Sequence, residues 1–225
     1  MAGARLIRAI TVVGLLASTW ISTPAQAGDV DLDALVEGIP ACSDTAEHCF
    51  GVVLHIVVDD EGAAQSSDWL EAQLAEANKH FAPIGVSFEV SRVEAEDADH
   101  AHVDTRRHRD KLGRDDFSKG EVHVYIVRRL DNVDAEGEIY GVHWRDRKKR
   151  SRRWIIISAR AWKTTLAHEL GHFFGLPHSE YPISIMNKTS RTDPPPEQRT
   201  FAEEELEEMR SDRDAMLKSG MLEDR

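Results

Sequence analysis

Apolar positions along the chain fall into blocks of two different periods. Gly51 to Val58 is a β-branched run bounded by Asp59-Asp60-Glu61-Gly62, and it predicts a central strand buried on both faces. His55 inside it reads as a packed histidine rather than a ligand. Leu70, Leu74, Ala77 and Phe81 then recur at helical spacing behind Ser67, a candidate N-cap, and predict a helix laying one apolar stripe on a sheet. Ala82-Pro83-Ile84-Gly85 ends that helix. Val86 to Val90 alternates as a second strand, Glu121 to Val127 as a third, Ile139 to Trp144 as a short fourth and Trp154 to Ser158 as a fifth. Near the end, Thr200 and Glu203 fit a capping box ahead of a helix carrying Ala202, Leu206, Met209 and Met216 on one face.

Two stretches are polar instead. Glu94 to Asp110 holds Glu94, Glu96, Asp97, Asp99, His100, His102, Asp104 and His108, and reads as a solvated loop, with a second metal site as the sharper alternative. Arg145 to Arg153 has seven basic residues in nine. A solvated turn is the plain reading; a field that steers acidic substrates is the sharper one.

The N-terminus changes the picture of where the chain works. Arg5 and Arg8 precede an apolar run from Ala9 to about Trp20, and Pro24-Ala25-Gln26-Ala27 offers a small-x-small cleavage site. Residues 1–27 therefore read as a secretory signal peptide, and the expected location is outside the cytoplasm, secreted or periplasmic. Removing Arg5 and Arg8 leaves 26 basic against 40 acidic residues, a net charge of −14, which speaks against a general nucleic-acid binder. Cys42 and Cys49 are the only cysteines; in an exported chain so close a pair predicts one local disulfide. No stretch beyond the leader is long and apolar enough to span a membrane. The expected division is a 28–50 N-terminal segment and one catalytic domain at 51–225, with an upper part to residue 175 and a lower part from 176; a monomer is assumed.

One motif organises the rest. His168-Glu169-Leu170-Gly171-His172-Phe173-Phe174-Gly175-Leu176-Pro177-His178 fits H-E-x-x-H-x-x-G-x-x-H at every defined position. On a helix His168 and His172 stack on one face, a turn apart, so both imidazoles can reach one ion. Gly175 suits a left-handed helix stop, after which the chain can return His178 to the same point. Three neutral imidazoles with an open fourth position suit one catalytic Zn2+, whereas structural zinc is normally closed by four protein ligands. Glu169, rotated off the histidine line, is placed to act as general base.

At these residues the chain resembles the metzincin clan of zinc metallopeptidases. Met186, eight residues past His178 in Ser184-Ile185-Met186-Asn187, is similar to the clan's Met-turn, and Ser179 after the third histidine is similar to the matrixin-like branch. Lys188 stands where astacins and serralysins have tyrosine, and the matrixins' usual structural zinc and calcium loop is not found, so the role of Ca2+ stays open. The resemblance implies an α/β (α+β zincin-like) fold: a twisted mixed sheet of about five strands with an antiparallel edge, a packing helix, a zinc-site helix and a C-terminal helix. It also implies that Tyr140, Gly141, Val142, His143 and Trp144 form the substrate-binding rim, where a peptide adds to the sheet edge. Ile183 and Ile185 are then candidates for an apolar pocket wall, and Tyr181 for a helper by position. Cys42 acquires a second reading, as a thiol occupying the zinc in a latent form. The implied activity is an exported zinc endopeptidase acting on peptides or proteins. The alternatives are a zinc-loaded inactive binding or adhesion module, and a zinc hydrolase of a non-protein amide.

Overall fold

The computed structural model describes residues 30–114 and 116–225. The expected signal peptide lies outside the described residues. Strand β1 (His48–Asp59) is central and is followed by the short β2 (Gly62–Ala63), helix α1 (Ser67–Phe81) and β3 (Val86–Glu96). Next come β4 (His102–Val103), α2 (Arg106–Leu112), β5 (Val122–Val127), β6 (Arg129–Leu130), β7 (Gly141–Arg145) and β8 (Arg153–Ser158). Helix α3 (Thr165–Phe173) carries the histidine motif, and α4 (Glu203–Ser219) closes the chain.

The principal strands lie in the order β3-β1-β5-β8-β7. All contacts are parallel except β7 against β8, so β7 is an antiparallel edge, as expected. β2 folds back on the end of β1 as a hairpin, and β4 pairs with β6 apart from the main sheet. Side chains alternate across a sheet, and register carries that alternation from strand to strand. Phe50 on β1 meets Phe88 and Phe174, and Phe81 of α1 meets Phe88, Phe174 and Phe201, so one face is a phenylalanine-rich core under α1 and α3. Leu70, Leu74, Ala77 and Phe81 are all buried there, as their spacing predicts. The opposite face carries His55, His123 and Tyr125, together with Trp154, onto which the close approach of Gly113 seats the end of α2.

Several local expectations need correction. Ser66, not Ser67, is the N-cap of α1, and its side chain makes no capping bond. α4 begins at Glu203 with Ala202 as N-cap, and Glu205, rather than Glu203, reaches back to accept the Ala202 N–H at 2.7 Å. β3 runs to Glu96, beyond the expected Val90, because Glu94 and Glu96 pair with β1 at its outer flank. The polar stretch that followed is not all loop: Thr105 caps α2 by accepting the His108 N–H. Tyr140 lies just before the edge strand rather than in it. The disulfide between Cys42 and Cys49 is formed, so Cys42 is not a free thiol directed at the histidines.

Candidate metal centre and cleft

α3 stops where Gly175 takes φ +97° and the Leu176 N–H closes on the Gly171 carbonyl at 3.0 Å. That turn returns the chain and brings His178 against the helix. The His172 and His178 Nε2 atoms stand 3.3 Å apart, and one nitrogen from each of His168, His172 and His178 lies within 4.8 Å of the others. His168 donates Nδ1–H to the Ile185 carbonyl at 2.8 Å, and His172 donates Nδ1–H to the Leu176 carbonyl at 2.7 Å. These bonds fix the tautomers and leave both Nε2 lone pairs bare. Burial depresses all three imidazoles, His168 to about 4, so they are neutral at pH 7. Two nitrogens about 2.0–2.1 Å from one tetrahedral zinc stand about 3.3 Å apart. The donor set therefore fits a zinc ion.

Met186 is fully buried beneath this centre, and a Cβ on Gly171 would come within 2.6 Å of its Sδ. Glycine at 171 is thus required for the turn to lie this close. The turn is pinned from below: its Met186 N–H donates to Ser184 Oγ, which donates in turn to Glu205 on α4.

Glu169 projects to the other side of α3 and is 5% exposed. Burial pushes its carboxyl up to about 8, while a hydrogen bond from the His143 backbone and the charge of Arg109 pull it down. A cation among the histidines would act in the same direction as Arg109. Gly141 on the rim faces Glu169: a Cβ there would stand 2.9 Å from Glu169 Cγ and 2.8 Å from Thr165 Cγ2. The rim comes this close to the acid because residue 141 has no side chain.

These groups line one cleft of about 1410 Å³, larger than the usual small-molecule pocket and suited to an extended chain. Tyr140, Gly141, Val142 and His143 line it together with His168, Glu169, His172, His178 and Ile185. Trp144 instead faces α2 and donates Nε1–H to Asp110. Ile183 and Tyr181 do not line the cleft; Ile185 does. Arg109 also lines it, and the sequence reading missed it. It is 2% exposed, donates to the Asp131 carbonyl at 2.7 Å and lies 5.1 Å from the Trp144 ring centroid. The signal available was Thr105 as a helix cap, but a seven-residue polar helix shows no periodicity to support it.

Among the described residues, the histidines of the Glu94 to Asp110 stretch join no group of three close ligand atoms, whereas Glu96 comes within 4.8 Å of His55 and Asp116. Glu94 and Glu96 instead turn to His55, whose Nδ1 is 3.3 and 3.0 Å from them, while His55 Nε2 is 2.9 Å from His123 Nδ1. The Ser118 backbone N–H points at His123 Nε2 at 3.2 Å, and a backbone donor sets the direction of the whole relay. His123 therefore donates to His55, and His55 presents a proton, not a lone pair, to the carboxylates. His55 is fully buried, as its position in the strand predicts.

The sequence model of the matrixin family (peptidase M10) matches residues 76–209, which include the edge strand, the histidine motif and Met186. The chain belongs to the matrixin family. This matrixin's fold is similar to that of metalloproteinase-II from Bacteroides fragilis, with a TM-score of 0.50 at 13% identity over 81% of this chain and 60% of that one. It is also similar to archaemetzincin from Methanopyrus kandleri, with a TM-score of 0.51 at 16% identity over 73% of this chain and 96% of that one. The aligned region thus spans three fifths of the Bacteroides protein. At these identities the two structures speak for the zincin-like fold. No curated protein matches the sequence. The family is one of zinc metallopeptidases, whose substrates are peptides or proteins. No described helix is long and apolar enough to cross a membrane.

Proposed function

We propose that this matrixin is an exported zinc-dependent endopeptidase in which His168, His172 and His178 hold the ion and Glu169 is the general base. The observation that carries the reading is the convergence of three neutral imidazoles beside a buried carboxylate, in a cleft bounded by an open sheet edge. When bound, zinc supplies a Lewis acid that acidifies a water molecule and polarises the scissile carbonyl.

The chain's own groups do the rest. β7 offers its outward N–H and C=O groups to an extended peptide, which fixes the backbone beside Glu169. Glu169 takes a proton from the attacking water and returns it to the leaving amine. Its burial favours the first transfer, because the raised carboxyl is a stronger base than an exposed one. The Met186 turn and the Ile185 carbonyl hold the His168 ring in place. Export is supported by the leader-like N-terminus and by the disulfide.

The deciding experiment assays a denatured protein substrate with and without a zinc chelator, beside Glu169→Gln. Cleavage that the chelator abolishes, and that falls by roughly 10²–10⁴-fold in Glu169→Gln while one zinc per chain is retained, is the expected result. Undiminished cleavage by Glu169→Gln, or a protein that binds no zinc, would overturn it.

A further inference from the structure

Two aromatic side chains stand in solvent at one end of the cleft. Trp162, in the loop between β8 and α3, is 68% exposed, and Tyr140, just before β7, is 47% exposed. Their ring centroids are 6.3 Å apart in an edge-to-face arrangement, and both line the cleft. Among the described residues only Tyr181, at 41%, is a comparably exposed large aromatic group, and it does not line the cleft; Trp154 is fully buried. Exposed aromatic rings gathered at a cleft are a contact surface in wait of an apolar partner.

Their backbones are rigid. The Trp162 carbonyl accepts from the Thr165 N–H and from the side chain of buried Gln73, each at 2.8 Å, and Gln73 also accepts the Leu166 N–H. The Tyr140 carbonyl accepts the Ser158 N–H at 2.8 Å. Two of the charges around the pair are matched: Lys163 pairs with Glu76 at 2.8 Å, and Arg160 pairs with Glu138 at 3.0 Å.

An antiparallel pairing, the mode β7 already makes with β8, sets the direction. β7 runs from Gly141, beside Glu169, to Arg145, and Tyr140 and Trp162 lie beyond its first residue. A peptide pairing antiparallel to β7 enters at Arg145 and leaves past Tyr140. We infer that Tyr140 and Trp162 form a subsite for an aromatic side chain of the substrate, C-terminal to the cut bond. This rests on the peptidase reading above. The ring of such a residue packs against the two aromatic faces.

The test reads selectivity with and without turnover. A mixed peptide library is digested with the wild-type chain, Trp162→Ala, Trp162→Phe and Tyr140→Ala, and the cut sites are mapped by mass spectrometry. The wild type is expected to enrich Phe, Tyr or Trp at one position after the cut. Trp162→Ala should reduce that enrichment by about tenfold, through KM rather than kcat, and Trp162→Phe should restore most of it. Absence of aromatic enrichment in the wild type, or enrichment equal in Trp162→Ala, overturns the subsite and leaves the peptidase standing. In parallel, peptides carrying Phe or Ala scanned through each position are titrated calorimetrically into Glu169→Gln and into Glu169→Gln with Trp162→Ala. Tighter binding of Phe peptides that vanishes with Trp162 supports the subsite even when nothing is cut; equal binding overturns it.

Discussion

Ser184 donates its hydroxyl to the buried carboxylate of Glu205 at 2.8 Å, and the same oxygen accepts the Met186 N–H at 2.9 Å. Glu205 further accepts the Ala202 N–H, so one carboxylate joins the first turn of α4 to the turn beneath the histidines. Glu205→Ala leaves buried donors unsatisfied and is expected to cost about 2–4 kcal/mol. Glu205→Gln, which keeps an acceptor oxygen, should cost less. Thermal denaturation and competitive zinc titration check this; an Ala variant that melts with the wild type would show that the link is idle.

Gly175 has φ +97°, and a Cβ there would collide with the Asp212 carboxylate. Gly175→Ala should therefore lose about 1–3 kcal/mol and weaken zinc binding, because His178 depends on this turn. Adding Asp212→Ala relieves the collision but not the left-handed backbone, so only part of the loss should return. Full recovery in the double variant, measured by denaturant titration, would assign the whole effect to the collision.

The three histidines differ in what else they hold. His178 is exposed, whereas His168 is half-buried and bonded to Ile185. His178→Ala should lower zinc affinity by at least about 100-fold with little change in the stability of the metal-free protein. His168→Ala should lower both. Equal metal-free stabilities for the two variants would contradict the distinction.

Acid stability has a definite sign. Burial, and then the neighbouring His55, push His123 down to about 4, whereas an exposed histidine titrates near 6.5. Between those values the unfolded chain binds the proton and the folded one does not. The stability held by neutral His123 is thus fully present above about pH 6.5 and drains away as the pH falls towards 4. At pH 5 the loss from this one group is on the order of 2 kcal/mol. Denaturant midpoints at pH 7 and pH 5 for the wild type and His123→Phe measure it; the variant should show a smaller drop.

The basic run divides into structural and free charges. Arg147 pairs with Asp110, Arg152 donates to the Arg114 carbonyl, and Arg153 lies 4.5 Å from the Phe173 ring centroid and donates to the Phe173 carbonyl at the end of α3. Arg153→Ala is expected to cost about 1.5–3 kcal/mol. Replacing Lys148 and Lys149 together by Ser should cost under about 0.5 kcal/mol. If those lysines steer acidic substrates, the same pair of substitutions raises KM for acidic peptides and not for neutral ones.

The zinc-site helix was legible because its chemistry is written in spacing. His168 and His172 share a helix face by their separation alone, and Gly175 announces the stop that returns His178. The five strands were legible because alternation and β-branching report burial. Their ends were not: β3 continues through Glu94 and Glu96, where an acidic sequence pairs with β1 because His55 offers a buried partner. Helix α2 was missed for the opposite reason, since it is too short and polar to show a period.

By itself the sequence determined the motif, the sheet's apolar strands, the cysteine pair and the choice of a metal chemistry, because each depends on residues near one another in the chain. Tertiary structure alone decided that Arg109 lies in the cleft, that Glu205 supports the Met186 turn and that Tyr140 meets Trp162. Those contacts join residues about twenty or more apart in the chain and depend on which elements the fold lays side by side. It also decided the direction of the His55 and His123 relay, because one backbone N–H, at Ser118, fixes where every proton in it must sit.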